Sequence, residues 1–421
     1  MSVLESSIQI PRIRDLRVVQ EVYRHRRIGS AAEFAHISQP AATQALLRVE
    51  SALGASLFDR HSTGVSPTEV GNIFQKRLNR ILDYLQMGDR LARSKAARTE
   101  GRGMGETFYQ QCSPTHLRTL VAVSSAGSFS QAARNLGVKQ PGLHRAARDL
   151  SILAGTELFL QSGGRTSLTP AADAFLRHVK LANGEFRQSQ FEINEFLGAR
   201  STKINVGSMP LSRTSILPEA IARLTEEVGA AVQINCVDAR YESLLNDIRS
   251  GDMDFLLGAL RRPVPANDIK QETLIRDRLV VIAAPTHPLS SKGQVSLTET
   301  LEYPWVAPPK NTPTGAYLFN ALGIEELDVT PVRVVSSSLV LLRSLLSHGR
   351  FISIASERQI HVEAALGALV KLPIDLPGSE REIGLTFRAD WLPTRHQKRF
   401  LDIIRRVATD SNTVTCHNNF E

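Results

Sequence analysis

Cysteine is scarce in this 421-residue chain: Cys112, Cys236 and Cys416 are odd in number and far apart. No Cys-x-x-Cys pair or Cys/His metal spacing occurs, so neither a disulfide framework nor a metal site is indicated. Long apolar runs are missing as well. Even Leu339–Leu346 is broken by Arg343, and no segment reads as a membrane span. The stretch from Met1 to Pro11 contains Glu5 and lacks the apolar core of a signal peptide, so a cytoplasmic protein is expected. Catalytic signatures are also lacking: there is no nucleophile elbow, phosphate-binding Gly-Lys-Ser/Thr loop, His-Glu-x-x-His helix or dinucleotide fingerprint. Neither an enzyme nor a cofactor is expected. His287, between Thr286 and Pro288, reads as a solvated loop residue. Cys236, in an apolar run, reads as a small core residue.

An excess of acid is absent too, and what replaces it is uneven. Net charge is +8 over the chain, with 26 Lys and Arg against 17 Asp and Glu in residues 1–200. The first half therefore carries +9 and the remainder −1. A basic half beside a neutral one points to a polyanion partner for the first half alone. No basic amphipathic segment has the exposed apolar face that a lipid surface would need.

The basic half repeats itself. Leu16-Arg17 recurs as Leu117-Arg118, Ala31-Ala32 as Ala132-Ala133, and Gln39-Pro40 as Gln140-Pro141. Gly54, Leu57-Phe58 and Thr68 recur as Gly155, Leu158-Phe159 and Thr169, always at an offset of 101. One supersecondary unit is thus present twice. Its first helix has Ile13, Leu16, Val19, Val22 and Tyr23 on one face. A short alanine-rich helix and a tight break at His36-Ile37-Ser38 follow. Ser38 is placed to cap a third helix that opens Gln39-Pro40, with proline in the first turn. In that helix Ala42, Leu46, Val49 and Leu53 form the buried stripe. Gln39, Thr43, Gln44 and Arg48 lie opposite, with groups that can reach base edges and phosphates in a major groove. Copy 2 buries Leu143, Ala147, Leu150 and Ala154 and turns Gln140, His144, Arg145 and Arg148 outward. Arg60 and Arg165 sit in the following loops, which read as wings. A long helix is expected from Thr68 to about Arg98.

These residues resemble the LysR-type transcriptional regulators. Ala31-Ala32, Ser38-Gln39-Pro40-Ala41, Val49-Glu50, Leu57-Phe58-Asp59-Arg60 and Pro67-Thr68-Glu69-Val70-Gly71 follow that family's N-terminal pattern. The resemblance implies that Ser38, Gln39, Pro40, Thr43 and Gln44 lie at a DNA face and that Arg60 contacts phosphate. Copy 2 departs from it: Lys139 replaces the capping serine, Gln161 the arginine and Ser151 the glutamate. The family plan has one such domain, so duplication is itself a departure. Both copies touching DNA is the favoured reading, with copy 1 the surer base reader; copy 2 as a spacer or dimerisation module is the alternative.

The domains expected are 1–100 and 114–199, two winged helix-turn-helix units each ending in a long helix, and 200–421. Three glycines within Gly101–Gly105 make residues 101–113 a flexible linker. Ala172, Leu176, Val179, Asn183, Phe186, Gln190, Ile193 and Leu197 are spaced four and three, a heptad seam. The resemblance implies a homodimer or homotetramer through this Ala172–Leu197 helix; packing of the helix against the chain's own domain is the alternative.

From Lys203 onward, short apolar runs alternate with helical ones. Strands are expected at 204–206, 232–237, 255–257, 279–283, 305–307, 332–335, 351–354 and 383–387, with helices at 216–226, 241–250, 339–347 and 394–407. This pattern indicates an open α/β sheet, here long enough for two lobes with a cleft between them. The resemblance extends here: Gly251-Asp252-Met253-Asp254 looks like a strand-entry turn and Pro285-Thr286-His287-Pro288-Leu289 like a hinge motif. It implies a periplasmic-binding-protein-like domain whose cleft is lined by Ser208, Met209, Gly258, Ala259, Pro308, Thr312, Ser336 and Ser337. Hydroxyls and free amides at helix starts favour a hydroxylated or anionic effector, a sugar or an organic anion. Tyr303-Pro304-Trp305 and Arg388-Ala389-Asp390-Trp391-Leu392-Pro393 are similar to regulators of sugar-binding-protein genes. The residues leave three functions open: a ligand-gated DNA regulator, a DNA-organising protein without gating, and an α/β solute-binding or catalytic protein with basic appendages.

Overall fold

The computed structural model describes residues 8–100, 107–198 and 202–417. The chain divides into two compact units. One comprises the residues up to Lys203 with Arg249–Asp252, the other Ile204–Ile248 and the residues from Met253.

In the first unit, α1 (Ile13–His25), α2 (Ile28–Phe34) and α3 (Gln39–Leu53) are followed by a hairpin of β1 (Phe58–His61) and β2 (Gly64–Pro67), then α4 (Glu69–Glu100). The expected stripes are buried in α1 and α3. Ser38 caps α3 by accepting from the Ala41 amide at 3.4 Å, and Gly54, at φ 71°, ends it. The same order recurs in α5 (Pro114–Ala126), α6 (Phe129–Leu136), α7 (Gln140–Ala154), β3 (Phe159–Ser162), β4 (Arg165–Leu168) and α8 (Pro170–Phe196). Repetition extends to single hydrogen bonds. The Val65 amide donates to the Arg26 carbonyl at 2.9 Å and, 101 residues on, the Thr166 amide donates to Gly127 at 2.7 Å. Thr68 Oγ1 donates to the Ser56 carbonyl at 2.9 Å, and Thr169 Oγ1 to that of Glu157 at 3.1 Å.

The long helices α4 and α8 pack together within the one chain. Phe74 meets Phe186 edge-on with ring centres 6.5 Å apart, and a Cβ on Gly88 would lie 2.6 Å from the Cβ of His178. Positions rising along α4 therefore meet positions falling along α8, and the pair is antiparallel. The heptad seam expected to receive a partner chain is filled by α4 instead: Leu176, Val179, Phe186 and Ile193 are buried. Its polar members are also satisfied in the chain, Asn183 Oδ1 by the Gln9 amide at 2.8 Å and Gln190 Nε2 by the Ala52 carbonyl at 3.1 Å. The 3.5-residue period marks a helix that needs an apolar partner; it does not say whose. The linker expectation also changes. Residues 101–106 lie outside the described residues, but Phe108–Gln111 forms a 3₁₀ turn with Phe108 and Tyr109 buried, and Phe108 packs on Phe175 at 4.7 Å. Two buried aromatic side chains fix 108–111 of the expected linker.

The second unit holds β5 (Thr202–Ser208), α9 (Ile216–Val228), β6 (Val232–Val237), α10 (Tyr241–Ser250), β7 (Phe255–Ala259), β8 (Ile269–Asp277), β9 (Leu279–Ala283) and β10 (Trp305–Ala307). Then come α11 (Pro313–Ala321), β11 (Val332–Val335), α12 (Leu339–Leu346), β12 (Ile352–Ser356), α13 (His361–Ala365), β13 (Val370–Lys371), β14 (Arg381–Arg388) and α14 (Arg395–His417). The strands form two five-stranded sheets, ordered β6-β5-β7-β14-β8 and β11-β10-β12-β9-β13. The chain crosses between them twice, at Arg278 and between Lys371 and Arg381, and β14 lies antiparallel to β8 with Arg381 opposite Asp277. Strand β8 escapes a hydrophobic reading because Lys270, Gln271, Glu272 and Arg276 interrupt it. Cys236 is exposed on the edge strand β6 rather than in the core. His287 is buried rather than solvated: its Nδ1 accepts from the Leu289 amide at 3.1 Å and its ring lies 4.7 Å from that of Tyr303. Burial holds its pKa below the usual histidine range.

Candidate functional site

The first candidate surface is the outward side of α3 and α7. Ser38, Gln39, Pro40, Gln44, Arg48 and Arg60 are exposed and Thr43 is half-buried. The arrangement follows from the stripe: with Ala42, Ala45, Leu46 and Val49 turned inward, the helical period leaves the amide and hydroxyl residues outside. Thr43 Oγ1 donates to the Gln39 carbonyl at 3.1 Å. Arg48, exposed on the expected face, also has an employment that the spacing does not show. Its guanidinium makes two 2.8 Å bonds to the buried carboxylate of Asp15, and that bonding raises the Arg48 pKa. It braces α3 against α1. At the 101 offset the corresponding residues are His116 and Asp149, so acid and base exchange helices, and the His116 ring instead closes a capping box with Ser113, its Nδ1 accepting from the Ser113 amide at 3.2 Å. Burial lowers the His116 pKa, with Asp149 opposing the shift.

In copy 2, Gln140, Arg145, Arg148 and Arg165 are exposed, and His144 is half-buried. His144 stacks on Phe129 at 4.1 Å, with its Nε2 3.3 Å from Gln140 Nε2. Lys139 at the start of α7 provides no side-chain cap.

The second candidate site is a cleft of about 310 Å³ in the α/β unit. Of the eight residues expected there, Met209, Ala259, Pro308, Thr312, Ser336 and Ser337 line it, while Ser208 and Gly258 do not. Ser208 is buried, and its Oγ accepts from Arg213 Nε at 3.1 Å. A Cβ on Gly258 would lie 2.3 Å from Met209 Cγ, so this glycine acts by letting Met209 lie against the wall. The Thr312 hydroxyl caps α11, accepting from the Gly315 amide at 3.1 Å.

The sequence reading missed the cleft's cations. Arg261 and Arg381 both line it half-buried, beside the exposed Arg240, Asp238 and Glu242. The Arg261 guanidinium lies 4.2 Å from the centre of the Tyr241 ring and donates to the Ala259 carbonyl at 3.3 Å. Arg381 sits at the second crossing between sheets. It bonds to Thr314 and stands 3.7 Å from Asp277, but its buried Nε has no partner. Burial lowers the pKa of both arginines, and raises that of Asp277. Neither arginine sits in a spacing pattern that marks it in advance, because the fold alone brings the end of β7 to the start of β14. Among the described residues there is no group of His, Cys, Asp and Glu able to hold a metal. No helix of the described residues is long and apolar enough to cross a membrane.

Comparison with known proteins gives these sites a context. The family described as LysR substrate binding domain matches residues 198–409. The family described as bacterial regulatory helix-turn-helix protein, lysR family, matches twice, at 13–72 and 114–173. The transcriptional regulator GalR of Pseudomonas putida is 28% identical over 403 residues, 96% of this chain and 99% of that protein. The regulator PcaQ of Agrobacterium fabrum is 28% identical over 294 residues, covering 70% of this chain and 94% of its own. A full-length OxyR variant from Pseudomonas aeruginosa shares the fold, with a TM-score of 0.50 and 21% identity over 70% of this chain and 93% of that one. The cleft-bearing unit and the repeated helical unit are thus each matched by one family's descriptions, and the chain belongs to the LysR family of bacterial transcriptional regulators, which are ligand-responsive DNA-binding proteins and not enzymes.

Proposed function

We propose that both repeated units are winged helix-turn-helix domains and that the protein reads duplex DNA with α3 and α7 under the control of a small organic anion held in the cleft. Gln39, Thr43, Gln44, Gln140, His144 and Arg145 are the groups offered to base edges, and Arg60, Arg148 and Arg165 those offered to phosphate. Ser38 and Pro40 shape the start of α3, and Arg48 supports the surface through Asp15. The domains are then 1–100 and 114–199 for DNA and 200–421 for the effector. Because α8 already has a partner in its own chain, any homodimer or homotetramer uses another surface.

The observation that carries the effector class is the two half-buried arginines of the cleft, Arg261 and Arg381, since its third arginine, Arg240, and its acids, Asp238 and Glu242, are exposed to water. A half-desolvated guanidinium with an unpartnered Nε gains most from a ligand that brings negative charge. Around it Met209, Leu339, Leu342 and Ile354 offer an apolar wall. A carboxylate on an apolar body meets both demands better than a neutral sugar. Thermal unfolding against a panel of small carboxylates and neutral sugars tests this. A carboxylate at about 100 times its Kd adds about 2.7 kcal/mol to stability, and Arg381→Ala removes the gain. Equal stabilisation of that variant, or stabilisation by neutral sugars alone, overturns the anion reading.

A further inference from the structure

The α4–α8 pair is made so that unlike helices meet. Arg77 is fully buried between them. It donates to Glu185 at 2.7 Å and to Glu192 at 2.8 and 3.0 Å, while Arg80 donates to Glu185 at 2.9 Å. At the 101 offset the positions matching Arg77, Glu185 and Glu192 are His178, Tyr84 and Leu91. The ion network therefore occurs once, although the backbone frame occurs twice. Pairing α4 with a second α4 would set Arg77 opposite Tyr84 and Leu91. Pairing α8 with a second α8 would bury Glu185 opposite His178 and Leu181. Either leaves a buried charge without its counterion, which disfavours like-with-like assembly.

The antiparallel pairing of equivalent helices relates copy 1 to copy 2 by an approximate two-fold. Their starts, at residues 69 and 170, lie roughly 24 residues apart along the pair, about 36 Å at 1.5 Å per residue. Half-sites read from one face of duplex DNA are about 34–36 Å apart. Yet the two faces presented are different. Equivalent exposed positions hold Gln44 in α3 and Arg145 in α7.

We propose that one chain is a built-in heterodimer of DNA readers, and that its binding site is composite: two unlike half-sites, about one helical turn apart, in opposite orientation. The inference rests on the reading of both copies as DNA-binding. The chemistry names one difference between the halves. A glutamine amide pairs with adenine N6 and N7 and a guanidinium with guanine O6 and N7. The half read by α3 carries adenine where the half read by α7 carries guanine.

Selection of the full-length protein on a random duplex pool tests this, with Gln44→Ala, Arg145→Ala and Arg145→Gln variants selected in parallel. The expected result is a motif with two different halves. Gln44→Ala relaxes one half and Arg145→Ala the other, each by about ten-fold or more in base preference. Arg145→Gln converts the guanine preference of its half to adenine, a gain that misfolding cannot imitate. Two identical halves, or both alanine variants relaxing the same half, or Arg145 variants selecting the wild-type motif, overturn the composite site while leaving DNA reading by copy 1 in place. No enrichment by the unaltered protein overturns the DNA-reading function, and the composite site with it.

Discussion

Replacing Arg77 by alanine removes the cation at the centre of the α4–α8 interface. Two carboxylates then lose their partner: Glu185, itself buried, and Glu192, partly buried. Glu185 keeps Arg80. Burial opposes the Arg77 charge, yet bonding to Glu192 and the attraction of both glutamates raise its pKa on balance. Breaking a buried pair from one side costs about 3–5 kcal/mol, most of it the penalty of the charge left behind. For a unit of this size, 1 kcal/mol corresponds to about 2–4 °C in Tm. Calorimetry of the full chain should therefore show one transition falling by roughly 10 °C. The double variant Arg77→Met/Glu185→Met removes the two fully buried charges and should recover part of the loss, because apolar replacement of a buried ion pair is often near neutral while Glu192 and Arg80, which lose these counterions, reach solvent. Both partners belong to one chain, so the fall should not change with protein concentration. A loss under 1 kcal/mol, a double variant worse than the single one, or a transition that shifts on dilution would refute the in-chain pairing.

Other outcomes follow from single contacts. Gly88→Ala should destabilise the same transition by about 1–3 kcal/mol, since the added Cβ meets His178 at 2.6 Å in a packed seam; an unchanged melt would mean the helices can part freely. Arg60→Ala should weaken binding to all DNA sequences alike and reduce the salt slope by about 1, whereas Gln39→Ala should cost about 1–3 kcal/mol on preferred DNA only. A sequence-selective Arg60 effect in fluorescence titrations would reverse these roles. Bonds from Arg278 and Lys371 lower the Glu357 pKa to about 2. A depressed carboxylate stabilises above its unfolded pKa, near 4.5, and that contribution disappears as pH falls through about 2. Glu357→Gln should thus lower the melt slightly at pH 7, by about 1 kcal/mol or less for a pair open to solvent, and be indistinguishable from the parent near pH 2. A deficit that persists in acid would assign the effect to packing.

The helical elements of the basic half were legible because each depends on local spacing. Ala42, Leu46 and Val49 recur at the helical period, Ser38 precedes them, and Gly54 follows in a left-handed conformation. The outward groups of α3 and α7 were legible for the same reason, since burying one face of a helix exposes the other. The tie from Arg48 to Asp15 was not legible, because Asp15 lies 33 residues away on another helix. In the α/β half, apolar strands such as Leu279–Ala283 announced themselves, whereas Ile269–Asp277 did not, being held by pairing with β14 rather than by its own hydrophobicity.

Local order along the chain determined the repeat, the two stripes, the segregated positive charge and the alternation of strands with helices. These need only near neighbours and a fixed residue period. Tertiary structure decided which surfaces are occupied. It closed the α8 seam with α4, folded Phe108 into the core, and brought Arg261 and Arg381 into one cleft. Burial and counterion pairing are properties of distant residues meeting, and no local pattern records which apolar face, or which charge, will be the one that arrives.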